Sequence, residues 1–264
     1  MKLITFDPFR TLGLPGVRYI KPEHMQQHRE ELAAADWLLF PGYWQIHSLH
    51  YVLKRRIFPS LSSYHLGHDK VEMTRALQTA CPDHVPETLI CASAPHGIQQ
   101  ILDQWRFPFV AKSVRSSQGM GVWLIENRQQ LLDYAERESV LYVQKLLPIV
   151  RDLRIVIVGS EVVASYWREG SGFLNNVSQG GRVRTDLPVP EQAISLVSGL
   201  ARYLDIDHAG FDVAMVDDHP YILEFNRLFG NTGVPGLPQQ ISAAMNRYLL
   251  GPAEPPTSDT SVSA

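Results

Sequence analysis

The sequence predicts an α+β protein with a small N-terminal α/β lobe and a C-terminal part rich in β-hairpins. Near the N-terminus, short apolar runs typical of strands alternate with helical stretches, which indicates an α/β arrangement. Farther along, β-rich runs are separated by short turn sequences, which indicates hairpins. The 264 residues suffice for one large domain or for two to three small lobes, each with a real core.

Composition excludes several classes of function. Hydrophobic residues make up 45% and charged residues 19% of the chain, and the net charge is -3, as in ordinary soluble globular proteins. We therefore expect neither a nucleic-acid surface nor a membrane-binding face. No apolar run approaches the roughly 20 residues that span a bilayer, and no signal peptide is evident. Cys81 and Cys91 are too few for a disulfide framework, so we expect reduced thiols and a cytoplasmic location.

The first predicted lobe covers residues 1–68 and is too short for a full dinucleotide-binding domain. Apolar runs predict strands at residues 2–6 and 36–40, and a short strand at 57–59. Residues 44–56 are predicted to be helical.

The second predicted lobe covers residues 69–143. It begins with a helix at 69–80, where the Asp69 carboxylate is placed to cap the first backbone amides. Asn127 is predicted to start a second helix, with Gln130 three residues later as in a capping box. The predicted strands lie at residues 107–112, 122–126 and 140–144.

The third predicted lobe covers residues 144–250, and a disordered tail of Pro, Ser, Thr and acidic residues follows at 251–264. Gly159-Ser160 separates two β-rich runs and predicts a hairpin. Apolar spacing predicts a helix at 193–204. A second hairpin and a last helix are predicted at residues 211–216, 221–225 and 239–250.

The second hairpin carries Asp212, Glu224 and Asn226, which have the hard oxygen atoms that Mg²⁺ prefers. Alternate residues of a strand share a face, so Glu224 and Asn226 point the same way. A loop made of residues 217–220 alone would set Asp212 opposite Phe225, on the other face. A metal site therefore requires a one-residue shift in register, from a different loop length or a bulge. The alternative is that these residues lie on the surface of a hairpin edge.

Lys112 ends a predicted strand and precedes a polar loop that contains Gly119 and Gly121. A lysine there can bind phosphate oxygens, and glycines let backbone amides approach them. The loop matches neither the GxxxxGK[ST] nor the GxGxxG pattern. Taken alone, a glycine loop between two strands is more often just a turn.

Two arginines, Arg154 and Arg168, suit recognition of a carboxylate or a phosphate. Asp152 lies two residues before Arg154, and Asn176 precedes Gly180-Gly181. Taken singly, each arginine is more often a surface salt-bridge partner than a ligand-binding residue.

In this order, the segments around these residues resemble the RimK-type group of ATP-grasp ligases, relatives of glutathione synthetase. The segments are DK, FPFVAKSVRSSQGMGVWLIE, VQKLL, RDLRIVIVG, NNVSQGGRV, AGFDVAMV and ILEFN, within residues 69–236. The resemblance implies an ATP-grasp fold, in which two α+β lobes hold ATP, with a short N-terminal α/β lobe in front.

The resemblance also implies roles for individual residues. Lys112 and Lys70 would contact ATP phosphates, Asp152 would face the ribose, and Arg154 and Arg168 would be catalytic, at the acyl phosphate or the substrate carboxylate. The other nucleotide-binding positions would be the phosphate lid Gln118, Gly119, Met120 and Gly121, the adenine hinge Gln144, Lys145, Leu146 and Leu147, and Asn176. The magnesium ligands would be Asp212, Glu224 and Asn226.

Three positions depart from the family pattern, all toward the substrate side. Lys145 replaces a usual acidic residue, Leu174 replaces a usual arginine, and Asn226 is followed by RLFGNTGVPG instead of small residues. These differences leave the substrate open while ATP and magnesium use stay expected.

The expected reaction is ATP-dependent amide formation between a small-molecule or peptide carboxylate and an amine, through an acyl phosphate. Two Mg²⁺ ions are implied, with Mn²⁺ as a possible substitute, and a homo-oligomer is possible. The alternatives are an ATP-grasp kinase that stops at phosphoryl transfer, and a nucleotide-binding module without catalysis. His65 and His68 could form a zinc site, but they more plausibly shape the entry to the helix at 69–80 or the substrate cleft.

Overall fold

The structure is a computed structural model that describes residues 1–115, 121–170, 181–230 and 233–251. The predicted tail beyond residue 251 lies outside these ranges. So do four predicted nucleotide-binding residues, Gln118, Gly119, Met120 and Asn176.

The N-terminal lobe contains a four-stranded parallel sheet with strand order β2-β1-β3-β4. The predicted helix at 44–56 is only partly confirmed, because a 3-10 turn at Tyr43–Gln45 leads into a π-helical turn at Ser48–Val52. The elements are β1 (Leu3–Thr5), β2 (Val17–Tyr19), a 3-10 helix (Pro22–His28), α1 (Arg29–Ala33), β3 (Trp37–Leu39), β4 (Arg56–Phe58) and α2 (Leu61–Leu66).

A second sheet has four antiparallel strands in the order β5-β8-β6-β7. Two helices cover one face and share its core. Asn127 caps the second of them through Gln130 N, as predicted. The elements are α3 (Lys70–Ala80), a 3-10 helix (Pro82–His84), β5 (Thr88–Ala92), α4 (Pro95–Gln104), β6 (Phe109–Lys112), β7 (Val122–Ile125), α5 (Arg128–Arg137) and β8 (Val140–Gln144).

The third sheet has five antiparallel strands in the order β11-β10-β9-β12-β13, and both predicted hairpins are confirmed. Helix α6 packs on one face, and α7 packs on the other together with part of the N-terminal lobe. The elements are β9 (Arg151–Val158), β10 (Glu161–Glu169), β11 (Arg182–Arg184), α6 (Glu191–Tyr203), β12 (His208–Val216), β13 (His219–Asn226) and α7 (Leu237–Leu250).

Helix α3 starts the second predicted lobe but packs on the third sheet. Its buried Met73 and Leu77 share one core with Phe225 and Leu153 of that sheet. The Asp69 side chain caps the helix, as predicted. Helix α3 therefore lies against the strand that carries Glu224. Of the helices in the described ranges, none is long and apolar enough to cross a membrane.

Asp207 joins the N-terminal lobe to the third sheet. Its Oδ1 accepts hydrogen bonds from Ser60 N at 2.7 Å and from the Ser63 hydroxyl at 3.2 Å, at the start of α2. Burial raises the pKa of Asp207 to about 7, against the lowering effect of the hydrogen bond from Ser60 N. The folded state thus favours the protonated acid.

We expect Asp207→Asn to remove part of the pH dependence of stability. Because the folded pKa lies above the unfolded one, the wild type binds more protons when folded and loses stability as pH rises from about 4 to 7. Between pH 5 and pH 8, this contribution amounts to about 1–3 kcal/mol in the free energy of unfolding. Denaturant unfolding of both proteins at the two pH values measures it. Asp103→Asn, on an exposed part of α4, is the control, and an equal pH slope in wild type and Asp207→Asn would contradict the expectation.

Candidate active site

A β-bulge in the β12–β13 hairpin brings two carboxylates side by side. The hairpin closes in a two-residue turn, 217–218, where both aspartates have a positive φ, as in a type I′ turn. Continuing that register would set Asp212 opposite Leu223. The register shifts between Asp212 and Val213, so Asp212 pairs with Glu224 instead. The alignment that the metal hypothesis required is thus confirmed.

Three more charges share this sheet face because paired residues of neighbouring strands point to the same side. Asp212 pairs with Arg154 of β9 as well as with Glu224. Asp152 and Arg168 pair with each other two residues farther along β9 and β10. The sheet face therefore presents three acids and two bases across four strands.

The acids and bases form a buried ion-pair network around Asp212. Its Oδ1 lies 2.7 Å from Arg154 Nε and 3.0 Å from Arg168 Nη2. Arg168 Nε donates a hydrogen bond to Asp152 Oδ1 at 2.6 Å. All four residues are less than 9% exposed. Two carboxylates and two guanidinium groups thus balance one another away from water.

Asp152 and Arg168 of this network have shifted pKa values. Burial raises the pKa of Asp152 to about 6, and Arg168 opposes this rise. Burial by itself would lower the pKa of Arg168, but Asp212 and Asp152 outweigh it and raise that pKa. The two guanidinium groups stay charged and fixed in position, as stabilisation of a developing anion requires.

Gly210 makes room for Arg154. A Cβ atom on Gly210 would lie 2.5 Å from Arg154 Nη1 and 3.0 Å from the Cβ of Phe229. A side chain here would push the guanidinium away from Asp212. The glycine of the AGFD segment therefore sets the position of an arginine more than fifty residues away in sequence.

Glu224 contacts groups from two other elements. Its Oε1 accepts a hydrogen bond from Asn226 Nδ2 at 3.1 Å. Its Oε2 lies 3.6 Å from Lys70 Nζ, at the start of α3. The amide nitrogen of Asn226 faces Glu224, which leaves the amide oxygen as the ligand atom that a cation would use.

Lys112 brings a buried cation to the same place from the last residue of β6. Burial lowers its pKa, while Glu224 and Asp212 raise it in opposition. Its Nζ lies 5.7 Å from the centre of the Tyr142 ring. A desolvated lysine between an aromatic ring and two carboxylates is suited to a polyanionic ligand.

The predicted hinge lies at the end of β8. The buried Gln144 side chain donates to Thr88 Oγ1 at 2.9 Å, and Lys145 N donates to Glu87 O at 2.9 Å.

Farther along the hinge, the carbonyl of Leu147 accepts from Ile149 N at 2.9 Å. Within the described part of the chain, these bonds leave the C=O of Lys145, the N–H and C=O of Leu146 and the N–H of Leu147 as backbone groups that could meet an adenine edge.

The loop between β6 and β7 is described only at its two ends. Ser113 N donates to Gly121 O at 2.7 Å, and Gly121 has a φ of 74°, a conformation that glycine adopts readily. The three remaining lid positions, and Asn176, lie outside the described residues.

His65 and His68 lie beside Tyr43 in the N-terminal lobe. The His68 ring stacks on Tyr43 with centroids 4.0 Å apart, and the His65 ring lies 6.3 Å from it. In the described ranges, no group of three or more His, Cys, Asp or Glu side chains is arranged to hold a metal. The candidate magnesium site has only two side chains of these types, Asp212 and Glu224. Its third ligand atom would be the amide oxygen of Asn226.

The residues present fit a magnesium ion and a nucleotide. Asp212 Oδ1 is buried and has two cations within ion-pair distance, yet no N–H group of the described residues points at it well enough to form a hydrogen bond. With Glu224 and Asn226 it forms a set of hard oxygen donors. Lys70 and Lys112 face the same carboxylates, where phosphates bridged to the ion would lie.

Comparison with known families decides the family of the chain. A model described as the RimK-like ATP-grasp domain matches residues 68–248. The chain belongs to the RimK-like ATP-grasp family. The predicted resemblance and the predicted ATP-grasp fold are both confirmed.

Curated relatives and solved structures agree with this family. The chain is 28% identical over 205 residues to a probable alpha-L-glutamate ligase of Haemophilus ducreyi, covering 74% of this chain and 66% of the relative. It is 29% identical over 196 residues to a ribosomal protein bS6–L-glutamate ligase of Escherichia coli, covering 68% and 64%. The matches thus span about two thirds of these relatives.

A RimK-domain ATP-grasp protein of Sphaerobacter thermophilus has a similar fold. The TM-score is 0.69 at 15% identity, covering 95% of this chain and all of that one.

Sequence reasoning missed several residues of the site. Tyr142 lies under Lys112, and its hydroxyl is 2.7 Å from Thr74 Oγ1 of α3. Gly210 lies in the segment AGFDVAMV, which contributes to the family resemblance. Its contact with Arg154, however, depends on the pairing of β9 with β12. Nothing in the sequence at these positions marks them as site residues.

We expect Gly210→Ala to displace Arg154 and to lower ATP turnover at least about tenfold, because the added methyl group overlaps the guanidinium. Nucleotide binding, followed by thermal shift, should change much less, since Lys112 and the hinge are untouched. Gly230→Ala is the matched control because nothing lies within 4 Å of its added Cβ. Wild-type turnover in Gly210→Ala would show that the position of Arg154 does not matter.

Proposed function

We propose that this protein is an ATP- and Mg²⁺-dependent ligase that joins a carboxylate to an amine through an acyl phosphate. The observation that carries the proposal is the buried Asp152–Arg168–Asp212–Arg154 network beside Glu224 and Lys112. It combines fixed guanidinium groups and hard oxygen ligands on one face of the third sheet with a lysine of the second sheet that would bind phosphate. Family membership supports the same chemistry.

In the proposed reaction, a carboxylate oxygen of the substrate attacks the γ-phosphorus of ATP, and the bond to the β-phosphate oxygen breaks to release ADP. The amine then attacks the acyl carbon, phosphate leaves with the bonding electrons, and the nitrogen loses a proton. Both steps move negative charge onto phosphoryl oxygens, which fixed cations stabilise.

Arg154 and Arg168 supply that stabilisation in our proposal. Asp212 and Asp152 hold the two guanidinium groups in place, so little reorganisation is needed when the charge develops. Asp152 accepts from Arg168 Nε, and we infer that it orients this arginine; a contact with the ribose stays a prediction.

Lys112 and Lys70 would bind the ATP phosphates, and the hinge at residues 144–147 would bind adenine. Magnesium held by Asp212, Glu224 and Asn226 would neutralise charge on the transferring phosphoryl group. Two ions, with Mn²⁺ as a substitute, belong to the proposal. So do the three lobes at residues 1–68, 69–143 and 144–250, a cytoplasmic location, and the possible homo-oligomer.

The names of the relatives supply the first substrates to test. They are glutamate ligases, and one acts on ribosomal protein bS6. L-Glutamate is therefore the first amine, with peptides that end in a free carboxylate as the first acyl substrates. Release of ADP with a phosphorylated product and no amine requirement would instead indicate a kinase.

Replacement of Glu224 by Ala should lower ADP release at least about a hundredfold. The proposed magnesium site would lose one of its ligands, and charge on the transferring phosphoryl group would be neutralised less well. The assay supplies ATP, Mg²⁺, L-glutamate and a peptide library, and mass spectrometry follows the amide product. Glu72→Ala, an exposed position on α3, serves as the control. Wild-type activity of Glu224→Ala would contradict the assignment of Glu224 as a magnesium ligand. ATP binding without ADP release by the wild type, under every mixture, would indicate a binding module.

A further inference from the structure

Arg227 directly follows the proposed metal ligand Asn226, where the sequence departs from the small residues usual in the family. It lies just past the end of β13, next to the N-terminal lobe. A large cation is therefore placed beside the proposed magnesium ligands, on the side away from the arginine network of β9 and β10.

The N-terminal lobe holds the Arg227 guanidinium over an aromatic ring. Its Cζ lies 4.3 Å from the centre of the Tyr64 ring, as in a cation–π contact. Tyr64 is fully buried, and its hydroxyl donates to Pro41 O at 2.6 Å, which fixes the ring. The backbone carbonyl of Arg227 lies 2.6 Å from His208 Nδ1. The residue is thus held at both its backbone and its side chain.

Within the described part of the chain, this half-buried cation lacks an anionic partner. Among the residues that the structure describes, no Asp or Glu forms an ion pair with Arg227. The guanidinium of Arg10 is close enough to interact with it electrostatically. A desolvated guanidinium on a rigid ring, with a second one nearby, is a preorganised receptor for an anion.

Space for a ligand lies close by. Arg10 lines a cavity of about 370 Å³ between the N-terminal lobe, the start of β12 and α7. Asp7 and Phe229 also line it, and Arg10 Nε lies 3.4 Å from Asp7 Oδ2. Arg10 therefore already has a carboxylate beside it, whereas Arg227 does not.

We infer that Arg227 selects the substrate of the ligase by binding a carboxylate of the amine-bearing substrate that does not react. The inference rests on the proposed function, since the site lies beside the magnesium ligands that define it. A guanidinium matches a carboxylate through two parallel hydrogen bonds, so an amine without a free carboxylate would leave Arg227 unpaired. The substrate class is an amino acid or a peptide with a free acid next to or near its amine.

Binding of three probes tests this inference without turnover. L-Glutamate carries both carboxylates, L-isoglutamine lacks the α-carboxylate, and L-glutamine lacks the γ-carboxylate. Isothermal titration of each into the full chain, with Mg²⁺ and a non-hydrolysable ATP analogue, compares wild type with Arg227→Gln and Arg227→Lys. Arg202→Gln, at an exposed position of α6 on the opposite face of the sheet, is the control.

Arg227→Gln should weaken L-glutamate binding about tenfold to a hundredfold, as expected for the loss of a charge-assisted hydrogen bond. The amide probe that lacks the recognised carboxylate should bind wild type and Arg227→Gln equally weakly, which identifies the α- or the γ-acid. Arg227→Lys should keep part of the affinity, and Arg202→Gln all of it.

Three results would overturn the inference: unchanged L-glutamate binding by Arg227→Gln, an equal loss for all three probes, or wild-type binding that prefers L-glutamate over neither amide. Failure of the proposed function gives a different pattern, because acid binding would still depend on Arg227 while no substrate mixture released ADP. If ADP release requires an amine without a free acid, the ligase function stands and the role of Arg227 falls.

Discussion

The carboxylate of Asp212 is the point on which the candidate site depends. It lies between Arg154 and Arg168 in a buried position, and it also faces Glu224 across the hairpin. A buried charge that loses its partner is strongly destabilising, whereas this set of two acids and two arginines is balanced. Any shift of β12 against β9 or β13 would therefore break ion pairs and separate the proposed metal ligands at once.

Two backbone features put Asp212 in that position. The bulge between Asp212 and Val213 turns the carboxylate toward Glu224, and the missing side chain of Gly210 leaves room for the Arg154 guanidinium. Bulges that redirect a side chain are common next to active sites. The opposite face of the same strands is apolar and packs against α6, so the register is fixed from both sides.

Strong local patterns made much of the third sheet predictable. Strand alternation and the demand for a shared face anticipated the alignment of Asp212 with Glu224, and the apolar spacing of α6 was read correctly. The three-residue strands β2 and β11 contain no fully buried residue, so no apolar run marks them in the sequence. The equally short β1, β3 and β4 are mostly buried and were predicted from their apolar runs. The contacts of Gly210 and Arg227 join residues far apart in sequence, so no local signal encodes them.

Helix α3 connects the two halves of the site. Its Met73 packs in the core of the third sheet, and the Met73 sulfur accepts from Phe225 N, next to Glu224. On the other side, Thr74 bonds the Tyr142 hydroxyl under Lys112, and Lys70 N donates to Val114 O beyond β6. One helix thus contacts both the sheet with the proposed metal ligands and the sheet whose strand β6 ends in Lys112. Because α3 contacts both sheets, a change in the distance between them would also move this helix. Lys70 at its start would then shift relative to Glu224.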